Sequence, residues 1–337
     1  MNPKLLINFF LSSLMSLYLV KKLLDLFKGK GCVLMFHRVI NSKKELTNDR
    51  FLKLAISKSD FENKIKFLKK NYKIISLDDF VSHLKSDSND FCISLTFDDG
   101  YKDNLLNVVP IINKYKIPIT IFVCTGFVNR TVNAWWYQIN EILLKRNFIK
   151  YSFEGKTFNF NLSSEKKKIY FLNYVLKKYF NLPIKKKLKF LNVITSSIKI
   201  KNSKHFLNWK ELKLLSKNPL VTIGAHTASH PCLASLNNKQ LNSEILLSKN
   251  LLEKKIGKIV NYFSYPYGNK ISASKREYNF VKESNFLAAF TTRRGIPTKE
   301  KLFCLPRENI GVNEKNFSLL ETKLSGVRIF NYNNQFY

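Results

Sequence analysis

Ile93-Ser-Leu-Thr-Phe97-Asp98-Asp99-Gly100-Tyr101 is an apolar run that halts at two adjacent carboxylates and a glycine. Strand-forming residues followed by a breaker predict a buried strand ending in a tight turn, which holds both acids at the strand's C-terminal edge. Neighbouring side chains on an extended backbone diverge, so one acid can bind a metal while the other moves a proton. Asp-Asp-Gly alone is ordinary turn chemistry, and its meaning depends on what else ends a strand in this chain.

Val221-Thr-Ile-Gly-Ala225-His226-Thr-Ala-Ser-His230-Pro231 is a second apolar strand, ending in two of the chain's five histidines. Their four-residue spacing is one helical turn, so a turn leaving the strand would set both imidazoles on one side, facing a common ion. Two imidazoles and a carboxylate make an open three-ligand site that leaves a position for water. A third strand candidate, Tyr262-Phe-Ser-Tyr265-Pro266-Tyr267-Gly268, runs into a proline-glycine turn of a common kind.

Further strands are expected at Val33–Phe36, Lys73–Ser76, Ile119–Val123 and Leu287–Phe290, and the three above at Ile93–Phe97, Leu220–Ala225 and Asn261–Ser264. They alternate with helical patterns such as Asp60–Lys70, with Phe61, Ile65 and Leu68 on one face, and Asn238–Ile256, with Leu241, Ile245 and Leu252. Repeated alternation predicts an α/β fold with a parallel sheet, and chemistry at strand C-termini predicts its closure as a barrel.

In this order the pieces resemble the polysaccharide deacetylase family, whose catalytic unit is the NodB homology domain of carbohydrate esterase family 4. Thr96-Phe97-Asp98-Asp99-Gly100 matches its first motif. His226-Thr227-Ala228-Ser229-His230-Pro231-Cys232-Leu233 matches the second, and Phe263-Ser264-Tyr265-Pro266-Tyr267-Gly268 one form of the third. Leu34-Met35-Phe36-His37-Arg38-Val39 and Leu305-Pro306-Arg307 are weaker echoes at the two ends. The resemblance covers roughly residues 31–312 and implies a distorted (β/α)7 barrel, with a helical insertion between motifs one and two.

The same resemblance implies that Asp98 is the general base and that Asp99, His226 and His230 bind one divalent metal. Zinc is favoured, and cobalt, nickel or iron(II) also suit such ligands. A cation that polarises carbonyl and water, beside a carboxylate that takes the water's proton, removes both obstacles to amide hydrolysis. The oxyanion donor is expected to be the Tyr267 backbone N–H, in the segment Tyr265-Pro266-Tyr267 that lines the substrate.

The chain departs from the family pattern twice. No histidine follows His230, so the late acid many members carry is missing, and His37 is expected to protonate the leaving amine instead. Ser264 stands where motif three often has an arginine, and Arg307 is expected to supply that guanidinium to Asp98.

A chain of 337 residues with 45% hydrophobic content can bury a sizeable core. We expect a deacetylase domain over 31–315, including the insertion 127–208, and a C-terminal tail over 316–337. Trp135-Trp136-Tyr137 in the insertion either stack on sugar or form its small core. The net charge of +33 is carried by lysines spread along the chain. No nucleic-acid motif accompanies it, so anionic lipid or glycolipid phosphate is the expected partner and nucleic acid is not.

Leu5 to Val20 is apolar apart from Asn8 and three serines and is followed by Lys21, Lys22, Lys28 and Lys30. It is short of the roughly twenty residues a spanning helix needs, and no alanine precedes Ala55 to make a cleavage site. Residues 1–30 are therefore expected to be an interfacial or short membrane anchor, with catalysis on the cytoplasmic face. Five unclustered cysteines give no disulfide framework and fit a reducing compartment.

The expected activity is N-deacetylation of a sugar in a polysaccharide or lipid-linked glycan precursor. The alternatives are an O-acetyl esterase on glycans or an inactive glycan-binding barrel. The sequence is silent on oligomeric state.

Overall fold

The structure is a computed structural model describing residues 28–41, 53–196, 205–310 and 317–325. Its first part runs β1 (Gly31–Phe36), β2 (Arg38–Ile40), β3 (Ala55–Ser57), α1 (Lys58–Asn71), β4 (Lys73–Ile74), α2 (Leu77–Lys85) and β5 (Cys92–Phe97). A π-turn (Asn104–Val108) leads into α3 (Val109–Tyr115), then β6 (Ile119–Val123) and α4 (Thr125–Asn129). The insertion holds α5 (Trp135–Lys145), β7 (Phe148–Phe153), β8 (Lys156–Asn161), α6 (Glu165–Asn181) and α7 (Ile184–Thr195). The barrel resumes with α8 (Trp209–Ser216), β9 (Val221–Ala225), α9 (Asn238–Ile256), β10 (Tyr262–Ser264), α10 (Lys275–Glu283), β11 (Ala288–Phe290), β12 (Glu308–Asn309) and α11 (Phe317–Leu324).

The main sheet is parallel, in the order β11-β10-β9-β6-β5-β1-β12, with β4 also paired to β5. Leu305 bridges Phe290 of β11, while Glu308 and Asn309 pair with Leu34 and Met35 of β1. The stretch 305–309 thus spans from one edge strand to the other, and the sheet curls on itself as a (β/α)7 barrel. Strands β1, β5 and β6 are buried on both faces, which is why they read as continuous apolar runs.

Helix boundaries follow from their caps. Ser57 accepts from the Asp60 N–H at 3.0 Å to open α1, whose Phe61, Ile65 and Leu68 enter the core. Each such side chain contributes about 1.5–3 kcal/mol on full burial. An Asn237/Gln240 capping box opens α9, and left-handed Gly257 (φ 70°) ends it.

Two expectations are corrected. The insertion is not wholly helical, because Phe148–Phe153 alternates exposed and buried residues and pairs with Lys156–Asn161 as a hairpin. Its turn is Glu154-Gly155, both left-handed (φ 53° and 75°), as two-residue hairpin turns require. The region after 315 is not merely a tail, since α11 packs Leu320 and Leu324 into the main core. The five cysteines are free, four of them buried.

Candidate active site

Register brings the predicted residues together. Phe36 lies opposite Phe97, so His37 and Asp98 leave adjacent strands at one level, and the Asp98 N–H bonds to the Phe36 carbonyl at 3.0 Å. Val123 lies opposite Ala225, and Ala225 is paired through β9 with Phe263. His226 and Ser264 therefore emerge at the same end of the barrel.

Asp99 turns away from Asp98 because its backbone is left-handed (φ 76°). Its Oδ1 lies 3.3 Å from Nε2 of both His226 and His230. The three candidate ligand atoms all lie within 4.8 Å of one another. His226 Nδ1 is 2.7 Å from the Ser264 carbonyl, which can only accept, so Nδ1 carries the proton and Nε2 is left to coordinate. Asp99 Oδ1 is buried and accepts no hydrogen bond of good geometry. An uncompensated buried carboxylate oxygen facing two imidazoles is the donor set that suits a divalent cation.

Asp98 is held differently. Arg307 forks onto it, with Nη1 to Oδ1 at 2.8 Å and Nη2 to Oδ2 at 2.7 Å. Arg307 is itself buried and fixed by the Thr291 carbonyl, the Thr96 hydroxyl and the Ser264 hydroxyl. Burial pushes the Asp98 carboxyl up, but the Arg307 guanidinium and His226 outweigh it and hold it below the ordinary carboxylate range. His37 is half-buried, and desolvation keeps its imidazole below the usual histidine value against the pull of Asp99 and Asp98.

The sequence expectations meet three corrections here. The histidines are brought together not by a helical turn but by an irregular loop in which Thr227 (φ 66°) and His230 (φ 57°) are left-handed. Tyr265 does not reach the site. Its ring packs on Phe263 and Tyr278 and its hydroxyl donates to the Phe303 carbonyl at 2.8 Å, because alternation along the backbone turns it into the main core. Ser264 is more than a substituted arginine position, since its hydroxyl and carbonyl touch Arg307 and His226.

Pro266 is buried, and Tyr267 follows it with a left-handed backbone (φ 62°) and its ring 4.9 Å from that of His230. The insertion reaches in against both residues. Trp135 donates its indole N–H to Tyr267 Oη at 3.1 Å, and the Trp136 ring lies 5.0 Å from the His230 ring. Trp135 also belongs to the insertion's own core, so it is a packed residue rather than an open sugar platform. Trp136 is half-buried at the edge of the site.

The family model for polysaccharide deacetylases matches residues 85–150 and 165–282, a span that contains Asp98, Asp99, His226, His230 and Tyr267 but neither His37 nor Arg307. The poly-β-1,6-N-acetyl-D-glucosamine N-deacetylase of Staphylococcus aureus is 36% identical over 90 residues, 26% of this chain and 29% of that relative. The chain thus spans well under half the length of this curated relative. The deacetylase PplD of Streptococcus pyogenes, solved in complex with acetate, superposes with a TM-score of 0.59 at 19% identity, covering 87% of this chain and 97% of that one. A de-N-acetylase from Aggregatibacter actinomycetemcomitans gives 0.57 at 16% identity, covering 87% and 99%. At these identities the two structures establish the shared fold.

Proposed function

The chain belongs to the polysaccharide deacetylase family, and from that premise we propose that it is a metal-dependent hydrolase removing the acetyl group from an N-acetylated sugar of a polysaccharide or lipid-linked glycan precursor. The observation that carries the reading is one buried site in which Asp99, His226 and His230 converge while the adjacent Asp98 is locked by Arg307. The guanidinium that motif three lacks is supplied by Arg307, which weighs against the inactive barrel. The amino-sugar substrate named for the Staphylococcus aureus relative favours an amide over an ester.

Asp99, His226 and His230 would hold the cation, and zinc is our choice for two imidazoles and a carboxylate. When bound, such an ion polarises the acyl carbonyl and lowers the pKa of water. Asp98 takes the proton of the attacking water at Oδ1, which keeps a lone pair beside its bond from Arg307 Nη1, whereas Oδ2 accepts from both Arg307 Nη2 and the Ser264 hydroxyl at 3.3 Å. The Tyr267 N–H donates to the developing oxyanion, its position fixed by the left-handed backbone and by Trp135 on the side chain. Acetate release from N-acetylhexosamine oligosaccharides and glycolipids, with and without chelator, tests the reading. Release that is absent throughout, or that ignores the chelator, overturns it.

His37 delivers the leaving-group proton in this scheme. Desolvation keeps its imidazole below the usual histidine value, so it must gain a proton within the cycle before it can donate one. His37→Ala is expected to slow amide substrates far more than activated esters, because an expelled amine cannot depart unprotonated and a phenolate can. Zinc content should not change. Equal losses on both substrate types would remove His37 from the role.

We also place the protein at the cytoplasmic membrane face through residues 1–30. Residues 1–27 lie outside the described residues, and among the described residues no helix is long and apolar enough to cross a membrane. Lys30 belongs to the barrel, because its carbonyl accepts from the Cys92 N–H at 3.1 Å. Deletion of residues 1–27 should therefore leave a folded enzyme in the soluble fraction, still active on small soluble substrates. Membrane association that survives the deletion would move the anchor elsewhere, with the lysine-rich insertion next to be tested.

A further inference from the structure

The loop between the two histidines cannot hold its shape alone. Left-handed Thr227 and His230 each cost about 1–3 kcal/mol, and such residues persist only where their surroundings over-determine them. We propose that Glu244, on α9, is the positioning residue that holds this loop, and through it both imidazoles, in metal-binding geometry.

Glu244 Oε2 accepts from the N–H groups of Ala228 at 3.0 Å and Ser229 at 2.8 Å, and Oε1 accepts from the Ser229 hydroxyl. The Ala228 N–H also reaches the main-chain carbonyl of Glu244 at 3.1 Å, so Ser229 is the amide that relies on the carboxylate. Consecutive N–H groups converging on one carboxylate form a charge-assisted cradle. Glu244 is aimed by its neighbour Ile245, fully buried in the main core, on a helix fixed at both ends by its caps.

The opposite side of the loop is also clamped. The Gly126 N–H bonds to the Ala228 carbonyl at 2.7 Å and the Thr125 N–H to the Thr227 carbonyl at 3.2 Å. A Cβ at Gly126 would collide with the Ala228 carbonyl, so the approach needs glycine. Within the loop, the His230 N–H bonds to Thr227 Oγ1 at 3.0 Å. Glu244 touches no ligand atom, and its influence on the cation passes through the backbone of residues 228–229.

The proposal rests on the metal-site reading above, and its test separates the two. Zinc affinity is measured by competition with a chromophoric chelator for the wild type, Glu244→Gln, Glu244→Asp and the control Glu253→Gln. Glu253 lies at the far end of α9 and accepts from the Val260 N–H at 2.9 Å, a purely structural contact. Glu244→Gln removes the charge that strengthens the bonds from Ala228 and Ser229 and sets an NH2 against the Ser229 hydroxyl, and the expected loss of affinity is about tenfold, the low end of the range for partners that orient metal ligands. Glu253→Gln should lower Tm and leave zinc affinity unchanged.

Wild type that binds no zinc would sink the metal site itself. Tight wild-type binding with Glu244→Gln unchanged, or with Glu253→Gln equally weakened, overturns the role of Glu244. If Glu244→Gln does not fold, Glu244→Asp decides. Its shorter arm cannot span both amides, so affinity should still fall, by more than about threefold, and an unchanged value overturns the proposal.

Discussion

His226→Ala and His230→Ala are each expected to abolish zinc retention and deacetylation together. Among the described residues, three ligand atoms converge on the candidate centre, so losing either imidazole leaves a carboxylate and one nitrogen, too few to hold an ion that favours four-coordinate sites with three protein ligands. The catalytic loss would follow from what such a cation supplies when bound. Several kcal/mol of charge stabilisation, at 1.36 kcal/mol per tenfold, corresponds to a fall of about a thousandfold or more. Zinc per protein by mass spectrometry and acetate release are the two measurements, with circular dichroism as the check on folding. The His226 variant should be the less stable, because it also strands the Ser264 carbonyl that its Nδ1–H satisfies. Stoichiometric zinc in both variants would remove the ligand assignment.

These residues were legible because the signals that mark them are local. Asp98 and Asp99 end a strand buried on both faces, and His226 and His230 end another. The resemblance to a family then fixed which acid faces which group. The left-handed loop is invisible in composition, since β-branched threonine avoids positive φ and histidine, though enriched there, adopts it only in a minority of cases, and the residue that stabilises it, Glu244, lies fourteen positions beyond His230 on a separate helix. The tilt of Tyr265 into the core depends on where β10 ends. The hairpin at Phe148–Asn161 leaves a signal in its period-two alternation and Glu-Gly turn, but the helical periodicity of the lysine-rich stretch after it is longer and outweighs that signal. Strand β12 is two residues long, below the length at which periodicity carries information.

Asp98→Asn should keep the zinc and lose turnover by about a hundredfold to ten-thousandfold, the span of general base catalysis. The substitution conserves shape and leaves Asp99 and both imidazoles untouched, so metal content is the internal control. It does disturb the Arg307 fork, because an amide NH2 replaces one of the two oxygens that Nη1 and Nη2 engage at 2.8 and 2.7 Å. Part of the loss could therefore come from misplacement rather than from a missing base. A double-mutant cycle with Arg307→Met separates the two. If Arg307 acts through Asp98, its removal lowers turnover in the wild-type background, where the carboxylate is left buried and unaimed, and adds almost nothing in the Asp98→Asn background, where there is no base to aim. Additive losses would mean that Arg307 serves catalysis by another route. Near wild-type turnover in Asp98→Asn would hand the water's proton to a different group altogether.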